Sequence, residues 1–323
     1  MRNKQWRTCT IAAIAASTLV LSACASSADA KRPDGVNEQT HVTIGLIPVL
    51  DPGLVFIALE NGYFKDHGLD VELKSGIGGA TNATAMAAGD IDVGFGAYAT
   101  ILQAQNQGIL DVAIIAEAAR ATKGLAGIYS LSDSGVDGPT DLIGNRLALA
   151  QVRTLPDLVS QVVLEDLNVD YGAIKRVEMP YPDMGAGLAR GDLDAAWLTE
   201  PFITLLKKDY KVNEVVDAYS GPTEGLAIAG FYTTKRFAKA NPTTIASIKA
   251  ALAEAAEFAK SSPNETRKLL QVYTKLPDDV MSAVTLPVFP VDIDVDKIRV
   301  NVDLMVKAGY LKKSIDIDSL VIK

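Results

Sequence analysis

The sequence predicts an α/β protein of two lobes joined by two crossings of the chain, and three observations carry that prediction. Between residues 42 and 116 short apolar runs alternate with helical patterns, the rhythm of βαβ units and a largely parallel sheet. The same rhythm restarts between residues 146 and 216, after a turn-rich stretch at 132–139. A phrase also repeats. Ala87-Ala88-Gly89-Asp90-Ile91-Asp92-Val93 is echoed by Ala189-Arg190-Gly191-Asp192-Leu193-Asp194-Ala195, each a helix end, a Gly-Asp turn and a strand start. A chain of 323 residues is long enough to give both lobes a core.

In order, residues 42–46 read as the first strand, 54–65 as a helix with Val55, Ala58 and Leu59 at helical spacing, and 69–73 as a second strand. Residues 83–88 supply a helix, 91–95 a strand, 97–107 a helix and 112–116 a strand. Residues 124–131 form an extended connection. The second lobe follows as strand 146–150, helix 155–167, strand 174–179, helix 183–190, strand 193–198, helix 201–208 and strand 212–216. Gly221-Pro222 breaks the chain, 226–233 returns as an extended segment, and helices punctuated by Pro242, Pro263, Pro277 and Pro290 finish it. The crossings fall near 127–135 and 219–228, which gives a first lobe over 41–130, a second over 131–222, and a return to the first with C-terminal helices over 223–323.

The N-terminus reads as an export signal. Arg2, Lys4 and Arg7 form a basic start, and residues 11–21 an apolar run too short to span a bilayer as a stable helix. It ends in Leu21-Ser22-Ala23-Cys24, which resembles the bacterial lipobox, so residues 1–23 are expected to be removed and Cys24 lipidated. Cys9 leaves with the signal, and lipidation accounts for the one cysteine that remains; no disulfide or cysteine metal site is then expected. Residues 24–40 are small, polar and charged, a flexible tether. The 31 Lys and Arg lose three with the leader, leaving 28 against 39 acids and a net charge of −11. That balance argues against nucleic acid or an anionic membrane surface as partner, though a local helix terminus or one Arg can still hold an anion.

Residues 76–96, GIGGATNATAMAAGDIDVGFG, carry the strongest local signal. Gly76, Gly78 and Gly79 suit a tight turn or a close approach to a ligand, Thr81 and Asn82 are helix N-cap types, and strong helix formers follow. A helix starting at a glycine turn aims unpaired N–H groups and a positive dipole end at what precedes it. A dinucleotide fingerprint would need glycine at 81, where the chain has Thr81. His41 and His67 are the only histidines, so a histidine-based zinc site or triad is not expected, and neither a G-x-S-x-G nor a P-loop pattern occurs. Asp292, Asp294 and Asp296 begin like a calcium loop, but Lys297 stands where its turn needs glycine, and the run reads as helix capping. The expectation is a protein with no metal, no cofactor and no catalysis of its own.

The chain resembles the substrate-binding lipoproteins of ABC importers for nitrate, taurine, alkanesulfonates and related compounds, a fold class that includes thiamine-precursor pyrimidine binders. The motifs are Gly62-Tyr63-Phe64, Gly68-Leu69-Asp70-Val71 and Ala88-Gly89-Asp90-Ile91-Asp92, then residues 142–148 (LIGNRLA), residues 191–197 (GDLDAAW) and Glu200-Pro201-Phe202, together spanning most of residues 42–320. The resemblance implies a bilobed fold of the type II periplasmic-binding-protein kind, closing about a hinge and handing its ligand to a permease and ATPase. It also implies a monomer, outside the cytoplasm and held at the membrane by Cys24.

By that resemblance the loop of Asp51, Gly53 and Leu54 touches ligand, Gly78, Gly79, Ala80 and Thr81 accept an acidic head group, and Gly96, Ala97 and Tyr98 border the cleft. In the second lobe Arg153 and Thr154 stand at a polar helix start, Trp197 and Glu200 line the cleft, and Thr223 and Glu224 fall in the second crossing, where taurine-type members present an acid to an amine. Each has a plainer reading. Arg153 is either a bidentate anion fork or a solvated surface residue; Glu200 either accepts from ligand or caps a helix; Trp197 either stacks on ligand or fills the core. Arg153 and the helix start at Gly79 favour a sulfonate or aromatic carboxylate, whereas Trp197, Tyr98 and Phe56 equally suit a pyrimidine. An enzyme on the same scaffold and a sensory domain remain as other readings.

Overall fold

Two sheets form where short β-branched runs meet small-residue helices, and both follow one plan. The computed structural model describes residues 36–76 and 78–322. It runs β1 (His41–Leu46), α1 (Gly53–Glu60), α2 (Tyr63–Asp66), β2 (Asp70–Ser75), α3 (Gly79–Ala88), β3 (Val93–Ala97), α4 (Tyr98–Asn106) and β4 (Val112–Arg120). Next come β5 (Ala126–Leu131), β6 (Arg146–Leu149), α5 (Leu155–Asp166), β7 (Lys175–Glu178), α6 (Tyr181–Ala189), β8 (Ala195–Thr199), α7 (Phe202–Asp209) and β9 (Val212–Asp217). The chain returns as β10 (Ala227–Thr234), followed by α8 (Lys235–Ala240), α9 (Pro242–Ser261), α10 (Pro263–Thr274), α11 (Asp278–Ala283) and α12 (Val295–Lys307).

The sheets are ordered β2-β1-β3-β10-β4 and β7-β6-β8-β5-β9. In each, three strands are parallel, β1 beside β2 and β3, β6 beside β7 and β8. The next strand runs the other way: β10 pairs antiparallel with β3 and β4, and β5 antiparallel with β8 and β9. Each sheet is therefore largely parallel but mixed, with four strands running one way and one against them, a reversal that hydrophobic pattern does not mark. β5 hydrogen-bonds inside the second sheet, whereas the sequence pattern carried the first lobe on to residue 130. The turn chemistry at 132–139 is more conspicuous than the crossing itself, which runs over 121–125. The second crossing spans 218–226. Arg120 and Ala227 are register partners where the two crossings leave the first sheet, and Ala121 N donates to Leu226 O at 2.8 Å.

The repeated phrase has one structural job. Gly89 (φ 84°) and Gly191 (φ 71°) take the left-handed conformation just past α3 and α6, which glycine adopts at little cost. Asp90 N then donates to Ala85 O at 2.9 Å, and Asp192 N to Gly187 O at 3.0 Å. The second aspartate of each copy reaches the neighbouring parallel strand. Asp92 accepts from Thr43 N at 2.9 Å, and Asp194 from Arg146 N at 2.7 Å and from its guanidinium at 2.8 and 2.9 Å.

Other expectations shift locally. The helix read over 54–65 is two, broken at Gly62 (φ 79°). α3 starts at Gly79, so Thr81 and Asn82 sit in its first turn rather than at its cap. None of Gly76, Gly78 and Gly79 takes a positive φ: Gly78 is extended, and of the three only Gly76 needs its smallness, since a Cβ there would meet Asn82 Oδ1 at 2.6 Å. Asn82, buried, donates to Gly45 O at 3.1 Å and Phe95 O at 2.9 Å, tying the start of α3 to β1 and β3. The last residues of the expected tether are held to α9 and to the turn after α2: Glu38 accepts from Thr244 N at 2.9 Å, Gln39 N donates to Thr244 Oγ1 at 3.0 Å, and Asn37 donates to His67 O at 2.8 Å. Asp294 caps α12, accepting from Lys297 N at 3.1 Å. Cys24, the leader and the tether before residue 36 lie outside the described residues. No helix among the described residues is long and apolar enough to cross a membrane.

Candidate ligand-binding cleft

Ligands of open α/β sheets sit beyond the carboxyl ends of parallel strands, and here both sheets turn those ends toward one cavity of about 260 Å³. That volume lies near the small end of the usual range for small-molecule pockets, about 300–1,000 Å³. The first lobe contributes Ile47, Val49 and Asp51 after β1, Gly78, Gly79 and Thr81 at the start of α3, and Phe95, Ala97 and Thr100 from β3 and α4. The second contributes Ala150 and Gln151 after β6, Thr154, Leu155 and Pro156 at the start of α5, Glu178 at the end of β7 and Tyr181 at the start of α6. Trp197 and Thr199 of β8, Tyr219 of the second crossing, and Ile228 and Ala229 of β10 complete the wall.

Its charge is unusual. No Lys, Arg or His stands among these lining residues, yet two carboxylates do, Asp51 and Glu178. Glu178 accepts from Val152 N at 2.7 Å. Asp51 is only 7 % exposed, and burial pushes its carboxyl up to about 6, against the pull of its own backbone N–H. Burial raises the Tyr181 and Tyr219 phenols too, and the charge of Asp51 raises them further. Positive potential comes from the backbone instead. α3 and α4 begin in the wall with no acid in their first turns, whereas α5 and α6 carry Asp157 and Asp183 there. Trp197 is 2 % exposed, its ring centroid lies 6.2 Å from that of Tyr181, and its Nε1–H has no partner among the described residues. A buried donor without an acceptor costs stability unless a ligand supplies one.

The structure brings seven of the sequence-predicted residues to this wall: Asp51, Gly78, Gly79, Thr81, Ala97, Thr154 and Trp197. The others lie elsewhere. Arg153 turns away: its guanidinium stacks 4.7 Å over the Tyr310 ring, while its backbone N donates to Asp157 at 2.7 Å and its O accepts from Gln103 of α4 at 2.7 Å. Glu200 caps α7 rather than facing the cavity; it accepts from Thr204 N at 3.1 Å and Thr204 Oγ1 at 2.8 Å, and burial pushes its carboxyl up against those bonds. Thr223 is buried and donates to Ala218 O at 2.7 Å, and Glu224 is exposed. Phe56 stacks on Tyr273 at 4.2 Å, Gly53 abuts Phe289 and Leu270, and Leu54 is core. Gly96 lies within β3 against Tyr232, Tyr98 is fully buried against Gly230, and Ala80 points outward from α3. Sequence reasoning missed Gln151, Glu178, Tyr181 and Tyr219. The rule that sites follow strand ends marks the first three, since each ends or closely follows β6 or β7; only the three-dimensional path of the crossing brings in Tyr219.

Comparison with known proteins agrees with this architecture. The model of a family described as NMT1/THI5 like matches residues 53–266. The chain is similar to the taurine-binding periplasmic protein of Escherichia coli K12, with 24 % identity over 257 residues, 78 % of this chain and 75 % of that one. Among solved structures it is similar to the alkanesulfonate-binding protein of Xanthomonas axonopodis pv. citri bound to MOPS (TM-score 0.75, 18 % identity, 89 % of this chain and 99 % of that one). It is also similar to the nitrate-binding protein of Synechocystis PCC 6803 (TM-score 0.72, 15 % identity, 88 % and 87 %).

Proposed function

The chain belongs to the NMT1/THI5-like family and is a substrate-binding protein of the ABC-importer type, and on that premise we propose that it captures one small organic solute between its lobes for delivery to a permease. The observation that carries this is the cavity itself: a small space walled by both lobes, with the backbone N–H donors of two helix starts that carry no acid in its wall. Those donors suit a sulfonate or carboxylate oxygen, taken without any guanidinium. The aromatic wall of Phe95, Tyr181, Trp197 and Tyr219 suits the carbon skeleton or a ring, so a pyrimidine is the second reading.

Closure brings half the contacts from each lobe, and the loaded and empty forms then present different surfaces to the permease. The protein acts as a monomer, without catalysis, held outside the cytoplasm by a lipid on Cys24. A thermal-shift screen of the mature chain against sulfonates, aromatic acids, aminopyrimidines and nitrate tests the reading. A solute at 100 times its Kd adds about 2.7 kcal/mol to stability. A stabilising solute recovered chemically unchanged is the expected result. A solute consumed by the protein overturns the receptor in favour of an enzyme. Radiolabelled palmitate incorporation, lost in Cys24→Ala, tests the anchor.

A further inference from the structure

We propose that Asp51 receives a positively charged nitrogen of the solute, so that the ligand of this cleft is a zwitterion or an organic cation and not a plain anion. The inference rests on the solute-receptor reading and sharpens it.

Asp51 sits in the loop after β1, buried and in the cavity wall. Its side chain has neither a hydrogen-bond donor from another described residue nor an ion pair among them; the ion pairs of the described residues all lie elsewhere. A carboxylate held out of water without a partner is costly, and proteins keep such groups where something arrives to pair with them. The wall offers no cation of its own. What it offers is aromatic: Tyr181 from α6 and Tyr219 from the second crossing both feel the charge of Asp51, and Trp197 and Phe95 border the same space. Aromatic faces beside a carboxylate are favourable surroundings for an ammonium group or a protonated ring nitrogen. A plain anion meets the opposite, since Asp51 and Glu178 both repel it and only the helix starts attract it. A ligand with a nitrogen toward Asp51 and an oxygen toward the start of α3 satisfies both ends. Because the carboxylate needs donors, a nitrogen bearing N–H is favoured over a quaternary one.

The test uses matched pairs on one skeleton: taurine with isethionate, β-alanine with 3-hydroxypropionate, and benzylamine with benzyl alcohol and benzoate. Affinities are read from Trp197 emission and calorimetry at pH 7.5, with choline as the quaternary control. The nitrogen member of at least one pair should bind at least tenfold more tightly than its partner, and Asp51→Asn should erase the difference. Should that variant fold poorly, the wild type answers by pH. Between pH 7.5 and 5 the nitrogen member loses affinity as Asp51 takes up its proton, while an oxygen partner does not; Glu178, Tyr181 and Tyr219 are the other titratable groups in the wall, and neither phenol changes charge in that range. Equal or tighter binding of the hydroxyl or carboxylate members overturns the inference and leaves the receptor standing. Binding by no member overturns the inference, and conversion of a bound member overturns both.

Discussion

Replacing Asp51 with Asn should make the empty protein more stable at neutral pH. Burial raises the carboxyl from its ordinary 3.8 to about 6, so the folded state holds this proton more tightly than the unfolded chain does. Stability from such a group is greatest when it is protonated and falls as pH rises through the window from 3.8 to about 6. Two pH units at roughly 1.4 kcal/mol each set a ceiling of about 3 kcal/mol on what the neutral amide recovers at pH 7.5. Urea unfolding of both proteins without solute, at pH 7.5 and at pH 4, measures it. The variant should lead by about 1–3 kcal/mol at the higher pH, and the gap should shrink toward zero at the lower one. Every other titrating group is common to both proteins and cancels in the difference. A variant as stable as the wild type or less so at pH 7.5 would refute the claim that Asp51 is ionised at a cost in the empty cleft.

Trp197→Phe keeps most of the packing and removes a buried indole N–H that has no partner among the described residues; urea unfolding of the empty protein should show stability held or raised by about 1 kcal/mol. Tyr310→Phe removes the hydroxyl that donates to buried Asp157 at 2.6 Å, leaving Tyr171 and the Arg153 backbone N–H to hold it, and urea unfolding should register a loss of about 1–3 kcal/mol. Glu38 titrates in the opposite sense to Asp51. Burial raises it, but hydrogen bonds from Thr244 and Thr243 prevail and hold it at about 2, below its ordinary 4.5. The stability it contributes is therefore present above pH 4.5 and lost as pH falls toward about 2, so the lead of wild type over Glu38→Gln should close on acidification.

Much of the fold was legible because its punctuation is chemical. The Gly-Asp-x-Asp phrase marks the same joint in both lobes, and each part of it, left-handed glycine and strand-capping aspartate, has a local cause that sequence displays. Strand direction does not have such a cause, which is why β5 and β10 read as connections although they pair on both sides in their sheets. The cleft divided along a similar line. Asp51, Gly79, Thr154 and Trp197, which the family resemblance pointed to, line the cavity. Arg153 stayed open between an anion fork and a surface residue because its type suggests an anion, while its direction is set by Tyr310, more than 150 positions away in the chain. Glu178 and Tyr181 obey the strand-end rule but bring no motif that singles them out.

The pairing of Arg120 with Ala227 makes the second lobe an insert in a hairpin. β4 and β10 are antiparallel neighbours, and everything from residue 121 to 226 is spliced into the place where a two-residue turn would otherwise suffice. During synthesis the inserted body has all its strands before β10 emerges, so it can close first, while the host sheet waits for its missing member. Both stalks of the insert leave the host one strand spacing apart, roughly 5 Å. Two such stalks permit rotation about the line that joins them, each bending once, and resist rotation about their own direction, which would wind one round the other. That leaves opening and shutting as the easy motion, with a single axis fixed by a pair of backbone partners.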